Sequence, residues 1–311
     1  MKQIVLFFSF LAITFSAYSA DYQLINMGPD FKAYVNKYRA STPEEQWLGW
    51  VDFENKYEVY YEAESCSSKE PGCAASRKLR VIKFFKELPK FESAMWDLFD
   101  RAGDISQNQI AKFKQAFPDL QEDTPIVFLP SLLRYNGRGL ALGNKSALFI
   151  GVDMTALSQD DLNSLFSHEF FHVYQFSKIP ESEIKKTFYS PLWFEGFATW
   201  MSIHLNPGTT DTVALMDDEL AKHCAQKSKV RDMALEYITL APKGRNEPNY
   251  SELYGDWFST PTKNVVPRRG YCLGLQVIRE VTKKKPLTDL VNLNEAGFKP
   301  LVDAALKTLS Q

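Results

Sequence analysis

His168 and His172, with Glu169 between them, are the first residues in this 311-residue chain that could do chemistry. In a helix, a spacing of four puts both imidazoles on one face, one turn apart, where two ring nitrogens can bind one metal ion. Glu169 lies about 100 degrees round the helix from His168, so it flanks such an ion without joining its ligands. The intervening Phe170 and Phe171 are apolar and suit a buried helix in a dry site. This is the H-E-x-x-H pattern, in which two histidines hold zinc and the glutamate serves as general base. It uses two of only four histidines in the chain. A third ligand candidate is Glu195, which follows His172 after 22 intervening residues in the segment Leu192-Trp193-Phe194-Glu195-Gly196-Phe197-Ala198-Thr199-Trp200. A carboxylate in so apolar a stretch is costly to bury unless a cation meets it. Two histidines and one glutamate would leave the fourth position of a zinc site open for water. His204 and His223 read as structural or surface residues. The first falls nine positions after Glu195 on the opposite helix face, and the second neighbours Cys224 in a charged segment.

These residues need elements to position them. The pattern predicts a helix over residues 159–177, with Ser158 as its cap and Asp161 completing an S-x-x-D box. A second helix is expected over 191–204, stopping before Asn206-Pro207-Gly208. Packed antiparallel across the first, with small Gly196 and Ala198 allowing close approach, it would carry Glu195 to the metal. Short apolar runs at 125–129 and 146–152 predict strands. Between them, Asn136-Gly137-Arg138-Gly139 reads as a turn-rich connection. Upstream, residues 21–120 read as a mostly helical N-terminal region. Thr42-Pro43-Glu44-Glu45 starts a helix with proline just inside it, and Trp47, Trp50, Phe53, Tyr57, Tyr60 and Tyr61 follow near helical spacing as a core-facing stripe. Helical patterning resumes over 75–99 and 107–117. Downstream, 242–267 reads as a Pro- and Asn-rich loop. The last strong helix is expected from about Gly270 to Lys283-Lys284-Lys285-Pro286, with its lysines at the favourable C-terminal end. The expected fold class is α+β, mostly helical with a small mixed sheet packed on the H-E-x-x-H helix, and residues 121–311 are expected to form the catalytic domain.

Composition excludes some functions. The formal net charge of −2 gives no basic footprint for nucleic acid. Forty-five per cent hydrophobic residues suffice for a substantial core. At the N-terminus, Lys2, the apolar run over residues 4–17 and the small Ser19 and Ala20 read as a signal peptide, residues 1–20. The run is too short for a comfortable membrane span. The expected location is therefore the periplasm or the exterior, with no stable membrane anchor after cleavage. Four cysteines fit an oxidising compartment. Of the three possible pairings, Cys66–Cys73 with Cys224–Cys272 is favoured, because the first pair closes a short loop. No paired C-x-x-C supports a zinc ribbon.

The H-E-x-x-H helix and downstream glutamate make the chain resemble the gluzincin class of zinc peptidases. More narrowly it is similar to a family of bacterial zinc-dependent proteases, through Ala147-Leu148-Phe149-Ile150-Gly151-Val152-Asp153, the E-G-x-A segment at Glu195, Tyr254-Gly255-Asp256-Trp257 and Gly270-Tyr271-x-x-Gly274. The resemblance covers roughly residues 124–285 and leaves out the helical N-terminal hundred. It implies a zincin-like fold, one zinc ion on His168, His172 and Glu195, and hydrolysis of a peptide or protein substrate with Glu169 as general base. Tyr271 is the candidate donor to the developing oxyanion, with Arg268 and Tyr254 as rivals. It also implies an edge strand above the helix that pairs with extended substrate, here assigned to residues 146–152. Many gluzincins carry an acidic residue four positions after the ligand glutamate to orient a histidine; here that position is Thr199, and the orienting partner is left unassigned. The competing functional reading is a non-catalytic zinc-binding envelope or substrate-binding protein on a peptidase scaffold. A third is a helical structural protein with an accidental H-E-x-x-H.

Overall fold

The computed structural model describes residues 22–63, 71–121, 123–179 and 187–311. The expected signal peptide lies outside these residues, as does Cys66 of the expected Cys66–Cys73 pair. Strand β1 (Tyr22–Asn26) is followed by helices α1 (Gly28–Tyr38), α2 (Pro43–Lys56), α3 (Glu58–Glu62), α4 (Pro71–Glu87), α5 (Glu92–Asp100) and α6 (Ala102–Ala116). Next come β2 (Thr124–Leu129), β3 (Gly137–Leu142) and β4 (Lys145–Gly151), then α7 (Val152–Ser158), α8 (Leu162–Lys178) and α9 (Tyr189–Leu205). The chain closes with α10 (Asp211–Leu215), α11 (Asp218–Cys224), α12 (Lys227–Leu240), α13 (Tyr250–Phe258), α14 (Arg269–Thr282), α15 (Leu287–Leu290) and α16 (Glu295–Leu309). The fold is α+β, mostly helical with one small mixed sheet. Among the described residues no helix is long and apolar enough to cross a membrane.

The sheet has the order β1-β2-β4-β3. β1, β2 and β4 run parallel, and β3 is antiparallel to β4. β2 and the apolar part of β4 are buried, which explains their near-continuous apolar runs. α8 packs on β3 and β4 and α6 on β1. The expected Thr42 start is present as a full capping box, with the Thr42 hydroxyl facing Glu45 N and the Glu45 carboxylate returning to Thr42 N. Trp50, Phe53 and Tyr61 from the aromatic stripe are buried.

The structure corrects the sequence reading at several elements. Tyr22–Asn26 is not helical; it pairs with Thr124–Phe128 and brings the N-terminal region into the same sheet. Five residues are too few to display a strand period. Residues 137–139 are not a turn but the start of β3. The long helix begins at Leu162 rather than 159. Gln159 adopts the left-handed conformation (φ 58°) that ends α7, and Asp161 is itself the cap, its carboxylate accepting from Ser164 N at 2.8 Å. The 242–267 loop contains α13. A further long helix, α16, follows the lysine run, capped by Asn294. Finally, 146–152 is not the edge: β4 lies inside the sheet, between β2 and β3.

Candidate metal centre

α8 is fixed in rotation by two of its phenylalanines. Phe170 meets Phe113 of α6 edge-on at 4.8 Å between ring centres, and Phe171 meets Phe197 of α9 at the same distance. With both faces locked, His168 and His172 share the remaining one and are 4% and 7% exposed. α9 is fixed at its start by Glu295, whose carboxylate accepts from Thr187 N, Thr187 Oγ1 and Ser190 Oγ. The stack of Trp193 on Phe298, with centres 5.0 Å apart, sets the helix's outer face. Glu195 then points back at α8.

The three side chains converge. His168 Nε2 and His172 Nε2 are 3.3 Å apart, and Glu195 Oε2 lies 3.3 Å from the first and 3.4 Å from the second. This buried group could hold a metal ion. Burial pushes the Glu195 carboxyl up, but the two imidazoles override it and hold the group well below the usual carboxylate range. Each imidazole lies against an aromatic ring. Tyr271 of α14 stacks on His168 (6.0 Å, 29°) and Phe176 on His172 (5.5 Å, 14°), so packing orients both rings. Thr199, in the position where an orienting acid was considered, instead donates to Glu195 O within its own helix at 2.8 Å. His168 Nδ1 is buried and has no hydrogen-bond partner among the described residues.

Glu169 sits on the adjoining stripe of α8, half-buried. No hydrogen bond or ion pair ties its carboxylate to a described residue. Leu165, Glu169 and Val173 recur every fourth residue, and β3 runs along them. A Cβ added at Gly137 would stand 2.6 Å from Glu169 Cγ and 3.2 Å from Leu165 Cδ1, and one at Gly139 would stand 3.2 Å from Val173 Cγ2. Glycines two apart on a strand face the same way, so both are needed for β3 to lie flat on this stripe. That is why the strand resembled a turn in the sequence. β3 is the edge of the sheet beside the metal centre.

The approach to β3 is built under strain. Leu132 and Leu133 both adopt left-handed φ (55° and 60°), which is uncommon outside glycine and asparagine. The buried Asp153 carboxylate holds them there. It accepts from Ser131 N (2.7 Å), Ser131 Oγ (2.9 Å) and Leu133 N (2.7 Å). Gly151 N also donates to Asn136 O at 2.8 Å. Asp153 ends the apolar run at 147–153; its role as an anchor for a loop twenty residues earlier carries no local signal.

Among the oxyanion candidates, Tyr271 lies against His168. Burial, then Glu195, push its phenol well above the ordinary range. Arg268 lies over that ring, its guanidinium carbon 4.5 Å from the ring centre, and donates to Leu215 O. Tyr254 lines a cavity beside Glu195. His204 stacks on Trp200, and neither it nor His223 joins the metal group.

Two features were not anticipated. Gly196 does not face α8. A Cβ there would come within 2.3 Å of the Gly274 backbone, so the small residue allows α9 to touch α14. The second is a closed hydrogen-bond ring. Ser167 Oγ donates to Gln109 Oε1 (2.8 Å), Gln109 Nε2 to Asn206 Oδ1 (2.9 Å), and Asn206 Nδ2 to Ser167 Oγ (2.8 Å). It joins α6, α8 and the end of α9 next to His168. The available signal was a glutamine among Ile105, Ile110 and Phe113 on the buried face of its helix. The Cys224–Cys272 disulfide is present and links α11 to α14, the helix that carries Tyr271. No protein-family model, curated protein or solved structure matches the chain, so the chemistry of the centre rests on its own residues.

Proposed function

We propose that the protein is an exported zinc-dependent hydrolase of peptide bonds. The observation that carries this is the triangle of His168, His172 and Glu195. A direct charge-assisted contact between imidazolium and carboxylate would close to about 2.7–2.9 Å. The sides here are 3.3–3.4 Å. A tetrahedron with metal–ligand bonds of about 2.0–2.1 Å has edges of about 3.3–3.4 Å. The donor set, two imidazoles and one carboxylate, is that of catalytic zinc sites with one open position. When bound, zinc supplies Lewis-acid chemistry, lowering the pKa of a water and polarising a carbonyl.

The chain's own groups provide the rest. Glu169, with no described partner to satisfy its carboxylate, takes a proton from the attacking water and returns it to the leaving amine. Tyr271, kept protonated by burial and by Glu195, is a hydrogen-bond donor beside His168 for the charge that develops on the carbonyl oxygen. The free edge of β3 offers main-chain groups to an extended peptide, a mode of binding that is indifferent to sequence. The signal-like N-terminus and the Cys224–Cys272 bond support an oxidising, exported location.

Glu169→Gln tests the reading. Hydrolysis of a mixed peptide library should fall by about 10²–10⁴-fold while the variant keeps its metal. Full hydrolysis by that variant would remove Glu169 from the mechanism.

A further inference from the structure

A cavity of about 370 Å³ opens next to the metal centre, and Glu195 forms part of its wall. Its other sides are Phe176, Pro191, Phe194, Tyr250 and Tyr254, with Arg245 among them. Phe176 is the ring that stacks on His172, so this space begins where the metal ligands end. The volume falls in the range of small-molecule pockets, and the lining is aromatic with few polar groups. Its two charged residues differ in their commitments. Glu195 is turned to the two histidines. Arg245 is exposed and forms no ion pair with a described residue. Its guanidinium is close enough to the phenols of Tyr250 and Tyr254 to oppose the rise in their pKa caused by burial. With Glu195 committed to the metal, the cavity keeps one positive charge without a counter-ion. Guanidinium matches a carboxylate in planar, bidentate geometry.

Resting on the peptidase reading, we propose that this cavity is the specificity pocket of the metal centre, taking a substrate residue with a large apolar side chain and pairing Arg245 with a substrate carboxylate. That carboxylate has two sources, the free C-terminus of the peptide or an acidic side chain beside the apolar residue. The first would make the protein a carboxypeptidase, the second an endopeptidase with an acidic preference.

Binding of small probes separates these possibilities without relying on turnover. Titration calorimetry on the full protein would use N-acetyl-phenylalanine, its amide, N-acetyl-glycine and N-acetyl-phenylalanyl-aspartyl-amide. The free acid of phenylalanine should bind at least about tenfold more tightly than its amide if the terminus is read. The aspartyl amide should recover that affinity if a side chain is read. N-acetyl-glycine should bind weakly in either case. Arg245→Ala should remove the carboxylate preference and Arg245→Lys should restore part of it, as the charge returns without the planar fork. The preference should survive chelation of the metal, which excludes capture of the carboxylate by the metal itself. Binding of the free acid and the aspartyl amide no tighter than that of the plain amide, or an unchanged preference in Arg245→Ala, overturns the inference. Peptide hydrolysis with no such preference would leave the peptidase reading standing and the pocket assignment refuted. Arg245-dependent probe binding with no hydrolysis of any peptide would do the reverse.

Discussion

Two glutamates sit in aromatic surroundings, one in each half of the chain, and their partners differ. Glu54 of α2 is 2% exposed. It accepts from Trp50 Nε1 at 2.7 Å and pairs with Arg77 Nη1 at 3.2 Å, and that guanidinium in turn lies 5.3 Å from the Tyr61 ring centre. Its charge is met by a permanent cation. Among the described residues, the Glu195 carboxylate of α9 pairs with two imidazoles, whose charge is conditional on pH. The first arrangement is complete as a structural ion pair. The second could be completed by a metal ion, and on the proposed reading this contrast separates a buried charge that stabilises the fold from one that serves chemistry.

Substitution can break the comparison in three ways. The largest effect is expected from Glu54→Gln. Breaking a buried ion pair from one side costs about 3–5 kcal/mol, so the urea midpoint should drop sharply with metal content per folded chain unchanged. A midpoint within error of the parent would show that Glu54 contributes no net stability. Next is Glu195→Gln, which retains the shape but loses the ligand charge. Zinc affinity should weaken by at least about 100-fold, equivalent to about 2.7 kcal/mol. Competition titration with a chromogenic chelator reads this directly, and an unchanged affinity would remove Glu195 from the ligand set. The smallest is Gly274→Ala. Its Cβ would stand 2.6 Å from Leu192 O and 2.7 Å from Gly196 Cα, so α9 must retreat from α14. Thermal unfolding should show a loss of about 1–3 kcal/mol. Zinc affinity should also fall, because Glu195 shares the helix segment that moves.

How much of this was legible in the sequence follows from the range of each signal. The histidine pair is a local period-four pattern, so its face could be read from spacing alone. Glu195 stood out as a charge among Leu192, Trp193, Phe194 and Phe197, and the cost of burying it pointed to a cation. β3 was hidden because Gly137 and Gly139, which allow the strand to lie against Glu169, are the residues that mark turns elsewhere. The helix start was misplaced by three residues because Ser158 and Asp161 are both good caps, and only the left-handed Gln159 decides between them. Gly196 was recognised as a close-approach residue but given the wrong neighbour, since no local pattern names a contact 78 residues away in Gly274. The Gln109–Ser167–Asn206 ring and the Arg245 cavity are long-range in the same sense. Their members look like ordinary polar residues until the helices are packed.

On the proposed reading, His168, His172 and Glu195 hold one zinc ion. X-ray absorption at the zinc edge, with metal content measured on the same purified sample at neutral pH, tests it most directly. One zinc per chain is expected, with nitrogen and oxygen ligands at about 2.0–2.1 Å, two of them imidazoles. Protein that stays without stoichiometric zinc when zinc is supplied, or zinc bound through sulfur, would contradict it.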